Sequence, residues 1–189
     1  MKPLVKLLRR HALFVVAAAA LPAYARGAIG GPVLLMRHAQ TDAGVGDPPG
    51  FVLERCSTQR NLSAEGRAQA RSLGAELATL GLRPTAIRSS RWCRCLNTAD
   101  EIVSRLGVAG AAVEPWPALD SFFDARDREP QQTAMLRQRL KSLRGPGFEL
   151  WVTHQVNITS LAGAATQMGQ ALWIKLLADG SIAASPFET

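Results

Sequence analysis

Two histidines and two arginines stand where work on an anion could be done. Arg37 and His38 end the apolar run Leu34-Leu35-Met36. Arg94 follows Ser89-Ser90 by about one helical turn, and His154 ends the run Leu150-Trp151-Val152-Thr153. Beyond the first 25 residues the chain has just these two histidines, and each directly follows an apolar run. The residue types suit a phosphate monoester. Arginine offers a planar fork that binds two oxygens of a dianion together. A neutral imidazole can attack phosphorus and carry the phosphoryl group covalently. Catalysis would then rest on positioning and on stabilising the charge of the group in transfer. Neither a carboxylate cluster nor a Cys/His ligand spacing accompanies these residues, so the chemistry is expected to need no metal and no cofactor.

Such side chains need a scaffold that brings separate segments together. Residues 32–36 read as a first strand, followed by a long polar loop, 42–61, containing Pro48-Pro49-Gly50; loops of that length usually serve function. A helix starts at Ser63, with Ala70, Leu73, Leu77 and Leu80 at helical spacing, and ends at Gly81. A strand at 85–87 leads through Ser89-Ser90 into a second helix whose face is Trp92, Leu96, Ala99, Val103 and Leu106, closed by Gly107. A third strand is expected at 111–113, a helix at 131–144, a strand at 149–153, a helix at 157–166 and a last strand at 172–177. Strands alternating with helices imply βαβ units with helices on both faces. The fold class is therefore α/β: a three-layer α/β/α sandwich with a mainly parallel sheet. In such a sheet ligands bind beyond the carboxyl ends of the strands, which is where Arg37, His38, Ser90, Arg94 and His154 fall. The backbone N–H groups opening the second helix, taken to begin at Ser90, add an expected anion site.

The first 25 residues differ in kind. Lys2, Lys6, Arg9 and Arg10 precede the apolar stretch 12–21, and Pro22-Ala23-Tyr24-Ala25 supplies an A-x-A cleavage site. The apolar stretch is about half the ~20 residues of a spanning helix. A signal peptide, 1–25, ahead of one domain, 26–189, is expected. This implies a periplasmic or secreted protein with no stable membrane span after cleavage; the export route stays open. The formal net charge is +7, but without the leader 18 basic residues face 15 acidic ones, a balance of +3. That is too mild to suggest a nucleic-acid partner. Three cysteines remain, Cys56, Cys93 and Cys95, and an oxidising compartment permits a disulfide. Cys93 and Cys95 point different ways on a helix, leaving Cys56–Cys93 and Cys56–Cys95. Cys95 shares the apolar face, which favours Cys56–Cys93.

Arg37-His38-Ala39-Gln40-Thr41 resembles the Arg-His-Gly signature of the histidine phosphatase superfamily, which includes the phosphoglycerate mutases. Ser90-x-x-x-Arg94-x-x-x-Thr98-Ala99 is similar to its second motif and Val152-Thr153-His154 to its third. Leu62-Ser63-x-x-Gly66-x-x-Gln69-Ala70 is similar to the helix after the signature loop. The match runs from about residue 32 to 165 and implies a phosphoglycerate mutase-like fold. It further implies His38 as the phosphorylated nucleophile, with Arg37, Arg94 and His154 binding the phosphoryl group, His154 as an imidazolium donor. The family's acid, which protonates the leaving oxygen, would fall near Asp120, with Asp124 as the alternative. Ala39 and Gln155 replace glycines that usually follow the two histidines.

These features together suggest an exported phosphomonoesterase. The resemblance extends in size and leader to exported members acting on phosphorylated envelope sugars, so an envelope glycan or periplasmic sugar phosphate is the expected substrate class. The superfamily's phytases carry an extra helical domain for which 164 mature residues have no room. A competing class is a non-catalytic phosphate-binding module, which would keep Arg37, Arg94 and His154 but need no acid. Oligomeric state is not legible.

Overall fold

The computed structural model describes residues 30–44, 46–108 and 110–188; the leader assigned to residues 1–25 lies outside the described residues. Six strands form one sheet: β1 (Val33–Arg37), β2 (Ala86–Ser89), β3 (Val113–Pro115), β4 (Glu149–Thr153), β5 (Ala171–Leu176) and β6 (Ile182–Pro186), in the order β3-β2-β4-β1-β5-β6. β1 through β4 run parallel, and β5 and β6 are antiparallel additions beside β1. Among the described residues four α-helices cover the faces: α1 (Ala64–Thr79), α2 (Cys93–Leu106), α3 (Glu129–Ser142) and α4 (Gln155–Ala162). This is the three-layer α/β architecture with a mainly parallel sheet.

Strand β1 shows why the central strands are apolar along their middles. Leu34 and Met36 pack into the cluster with Leu73, Leu77, Ile102 and Leu106 of α1 and α2. Val33 and Leu35 point the other way, to Leu136, Leu140, Ile158 and Leu161 of α3 and α4. Side chains alternate across a strand, so a strand covered on both faces needs apolar residues at every position. In β4, Leu150 and Val152 join the first cluster and Trp151 the second.

Three of the differences from expectation have local reasons. Helix α2 starts at Cys93, not Ser90, because residues 90–92 turn out of β2 before the helix begins. Helix α4 stops at Ala162, where Gly163 takes a φ of +65° that favours glycine. Segment 163–170 contains no helix to cross the sheet, so the chain returns antiparallel along the free edge of β1 and turns back at Asp179-Gly180 to form β6.

Candidate active site

The parallel strands end on one side, and the loops there surround a cavity of about 340 Å³. Arg37, His38, Arg94 and His154 all line it, together with Asp47, Phe51, Arg60, Trp92, Phe123, Asp124 and Arg128. The backbone beside His38 is held from several directions. Its N–H donates to the Thr153 carbonyl at 2.9 Å, and the Ala39 N–H donates to Thr98 Oγ1 at 3.0 Å. The Thr98 hydroxyl in turn donates to the Arg94 carbonyl at 2.6 Å. Helix α1 closes the other side: Ser63 caps it by accepting from the Gly66 N–H, and Gln69 Oε1 accepts from the Gln40 N–H at 3.1 Å. Gly66 is needed there because a Cβ would sit 1.9 Å from the Gln40 carbonyl oxygen.

His38 is buried, and its Nδ1 lies 2.8 Å from the Ala39 carbonyl oxygen. A carbonyl only accepts, so Nδ1 carries the proton and Nε2 keeps the lone pair. Burial, reinforced by the charges of Arg94, Arg37 and Arg60, lowers its pKa to about 3, against the opposing pull of the Ala39 carbonyl. The imidazole is therefore neutral at pH 7, the state a nucleophile requires.

The arginines follow a common pattern. Arg37 Nη1 donates to the Thr166 carbonyl at 2.8 Å, and Arg94 Nη1 donates to both oxygens of Asp47 at 2.7 and 3.0 Å. In each the Nε–H is buried without a hydrogen-bond partner. Gln155, standing where the family usually has glycine, braces the first of these. Its Oε1 accepts from the Thr166 N–H at 2.9 Å and from the Thr166 hydroxyl at 2.8 Å.

His154 is also buried and neutral: burial first, then the charges of Arg94, Arg37 and Arg60, holds it well below the ordinary histidine value. The imidazolium donor that the resemblance implies would therefore form only when an anion binds. Behind the ring runs a polar chain. His154 Nε2 lies 2.8 Å from Ser90 Oγ, which lies 3.3 Å from Asp120 Oδ1. Asp120 is buried and does not line the cavity. Its Oδ1 accepts from the Arg91 N–H at 2.8 Å and its Oδ2 from Arg91 Nε at 2.8 Å and Nη2 at 2.6 Å. A carboxylate committed in this way cannot reach a leaving group. Asp124, the alternative, is exposed and lines the cavity. The anion site expected at the opening of the second helix is likewise occupied from within the protein. The N–H groups of Arg91, Trp92 and Cys93 go to Asp120, Ser90 Oγ and Gln59 Oε1.

Sequence reasoning missed Asp47 and Arg60. Both sit in the 42–61 loop, where no periodicity marks a side chain's direction. For Arg60 the nearby Leu62-Ser63 motif was the available signal; Asp47 had none. Asp47 receives Trp92 Nε1 at 2.9 Å and the Arg60 N–H at 3.0 Å besides Arg94. Although burial pushes its pKa up, these partners hold it below the usual carboxylate value. The loop is pinned to α2 by the Cys56–Cys93 disulfide, the pairing favoured from sequence. Cys95 is free and fully buried beside His154, and burial raises its pKa to about 12. It is a neutral thiol, not a nucleophile.

Residues 33–122 match the family model of the histidine phosphatase superfamily, branch 1. The matched span takes in Arg37, His38 and Arg94, three of the residues that line the cavity with His154. Among solved structures, it is similar to the protein histidine phosphatase SixA complexed with tungstate: 16% identity, 82% of this chain and 94% of that one, TM-score 0.61. It is also similar to a mycobacterial glucosyl-3-phosphoglycerate phosphatase: 17% identity, 82% and 96% coverage, TM-score 0.60. At such identities the likeness concerns the fold. No curated protein matches by sequence.

Proposed function

We propose that the protein is an exported phosphomonoesterase that passes the phosphoryl group through His38. The observation that carries the reading is the buried, neutral His38, fixed by the Ala39 carbonyl with its Nε2 lone pair free, in a cavity that Arg37 and Arg94 also line. The phosphate dianion binds Arg37, Arg94 and His154. Nε2 forms a bond to phosphorus as the bond to the leaving oxygen breaks, and Asp124 donates a proton to that oxygen. A water molecule, giving its proton to Asp124, then attacks the phosphohistidine; the N–P bond breaks, phosphate departs and His38 is restored. His154 gains a proton as the dianion binds, because the anion offsets the repulsion of the arginines; Ser90 and Asp120 orient it.

Substrate preference follows from the leader and the walls. The leader directs the protein out of the cytoplasm, and Phe51, Trp92 and Phe123 supply flat apolar surface around the anion site. A sugar phosphate of the periplasm or an envelope glycan phosphate is the proposed class. Among the described residues no helix is long and apolar enough to cross a membrane.

The test is hydrolysis of a panel of sugar phosphates and of aryl phosphates of graded leaving-group acidity. Asp124→Asn should slow sugar phosphates at least tenfold more than para-nitrophenyl phosphate, whose leaving group needs no proton. Equal slowing of both refutes the acid assignment, and no turnover of any phosphomonoester refutes the function.

A further inference from the structure

Among the described residues six buried side-chain nitrogen or oxygen atoms have no hydrogen-bond partner, and three of them are arginine Nε atoms: Arg37, Arg60 and Arg94. All three arginines line the one cavity. Each also commits Nη1 to a protein acceptor: Thr166 carbonyl, Gly44 carbonyl and the Asp47 carboxylate respectively. Nε–H shares an edge of the guanidinium with Nη2, the edge used for bidentate contact with an oxyanion. A buried N–H left unpaired costs about 1–3 kcal/mol. Three in one cavity mark a place for a ligand with several acceptor oxygens.

We propose that Arg60 is a third phosphoryl-binding arginine of this site, delivered by the 42–61 loop and positioned through Gly44 and Asp47. The inference rests on the phosphate reading above but not on turnover. Arg60, Arg37 and Arg94 line the same cavity as both imidazoles, close enough for their charges to act on one another and on both rings. Asp47 binds the backbone N–H of Arg60 and the side chain of Arg94 together, so one carboxylate sets the spacing between two of the three. Among the charged groups that line the cavity, Arg37, Arg60, Arg94 and Arg128 against Asp47 and Asp124 leave a charge of +2 with both imidazoles neutral. That charge suits a phosphomonoester dianion over a diester monoanion. Asp47 is a positioning residue; Arg60 touches the ligand.

The test measures calorimetric binding of inorganic phosphate at pH 8, alongside para-nitrophenyl phosphate hydrolysis and thermal melting. The proteins compared are the mature chain, Arg60→Ala and Arg60→Gln. Arg60→Ala and Arg60→Gln should each weaken phosphate binding at least tenfold and raise KM in step, with melting temperature nearly unchanged. Millimolar guanidinium should restore part of the affinity of Arg60→Ala. Binding within twofold of the parent in either variant overturns the proposal. So does a loss of affinity that tracks lost stability and resists guanidinium. If phosphate binding falls in the variants but the parent turns nothing over, Arg60 stands and the phosphatase reading falls. If turnover is robust and indifferent to Arg60, the reverse holds.

Discussion

Removing the disulfide should loosen the site from its far side. Cys56 and Cys93 are 37 residues apart in sequence, and the bridge ties the loop carrying Asp47, Phe51 and Arg60 to the first residue of α2. In the chain-entropy account, closing a loop of that length constrains the unfolded state by about 4 kcal/mol at 25 °C. For a domain of this size each kcal/mol moves the melting temperature by about 2–4 °C, so Cys56→Ala/Cys93→Ala should melt about 10 °C lower. The folded loop retains other anchors: Gln59 Oε1 on the Cys93 N–H, and Asp47 on Trp92 and Arg94. The variant should therefore still fold, with the 42–61 loop less well held against the site. KM for an aryl phosphate should rise several-fold while kcat changes less, because His38, Arg37 and His154 stand on other elements. Calorimetry and steady-state kinetics in matched oxidising and reducing buffers read both effects, and reductant should reproduce the variant in the parent. A melting shift below about 2 °C, with KM unchanged, refutes the idea that the bridge organises this loop.

Other perturbations probe the rest of the site. His38 has a folded pKa of about 3 and an unfolded value near 6.5. Stability is thus unaffected by this group above pH 6.5 and falls below it as the unfolded chain takes up a proton. At pH 5 His38 alone costs about 2 kcal/mol, and His154 adds in the same direction. Urea unfolding from pH 7.5 to 5 should show the decline, a saturating oxyanion should blunt it, and a flat profile contradicts buried neutral imidazoles. Gly66→Ala should destabilise by about 3 kcal/mol, at the upper end for overpacking, because its Cβ meets Gln40 backbone atoms at 1.9, 2.8 and 2.9 Å. Chemical denaturation checks it, and a change under 0.5 kcal/mol refutes the close approach. Ser90→Ala breaks the chain between Asp120 and His154 and should lower kcat about tenfold. It should also shift the alkaline limb of the kcat profile to lower pH, since His154 then holds the proton it needs less firmly; an unmoved profile shows Ser90 to be packing alone.

What could be read from the sequence follows from where periodicity and local motifs speak. β1 is apolar from Val33 to Met36 and β4 from Leu150 to Val152 because helices cover both faces, and their polar tips had to face the same edge once the strands were parallel. Arg37, His38, Arg94 and His154 converge for that reason. The cysteine pairing was legible because a helix separates Cys93 from Cys95 by direction. The antiparallel placement of β5 was not, since it depends on the lack of a crossing helix in 163–170 and on the open edge beside β1. Asp120 shows the limit of position-by-position transfer. It sits after β3 as expected, but Arg91, unremarkable in sequence, captures its carboxylate and leaves Asp124 facing the cavity. Asp47 and Arg60 were invisible because a loop closed by a disulfide and by long-range bonds has no pattern that marks which side chains turn inward.

The most direct test of the account is the identity of the covalent intermediate. The mature protein should be mixed with a labelled aryl phosphate, quenched in alkali within a few turnovers, and mapped by peptide mass spectrometry. A phosphoryl group should appear on His38, stable in base, labile in acid, absent from His38→Ala, and formed as fast as the first turnover. A phosphoryl group on another residue, or turnover undiminished in His38→Ala, contradicts it.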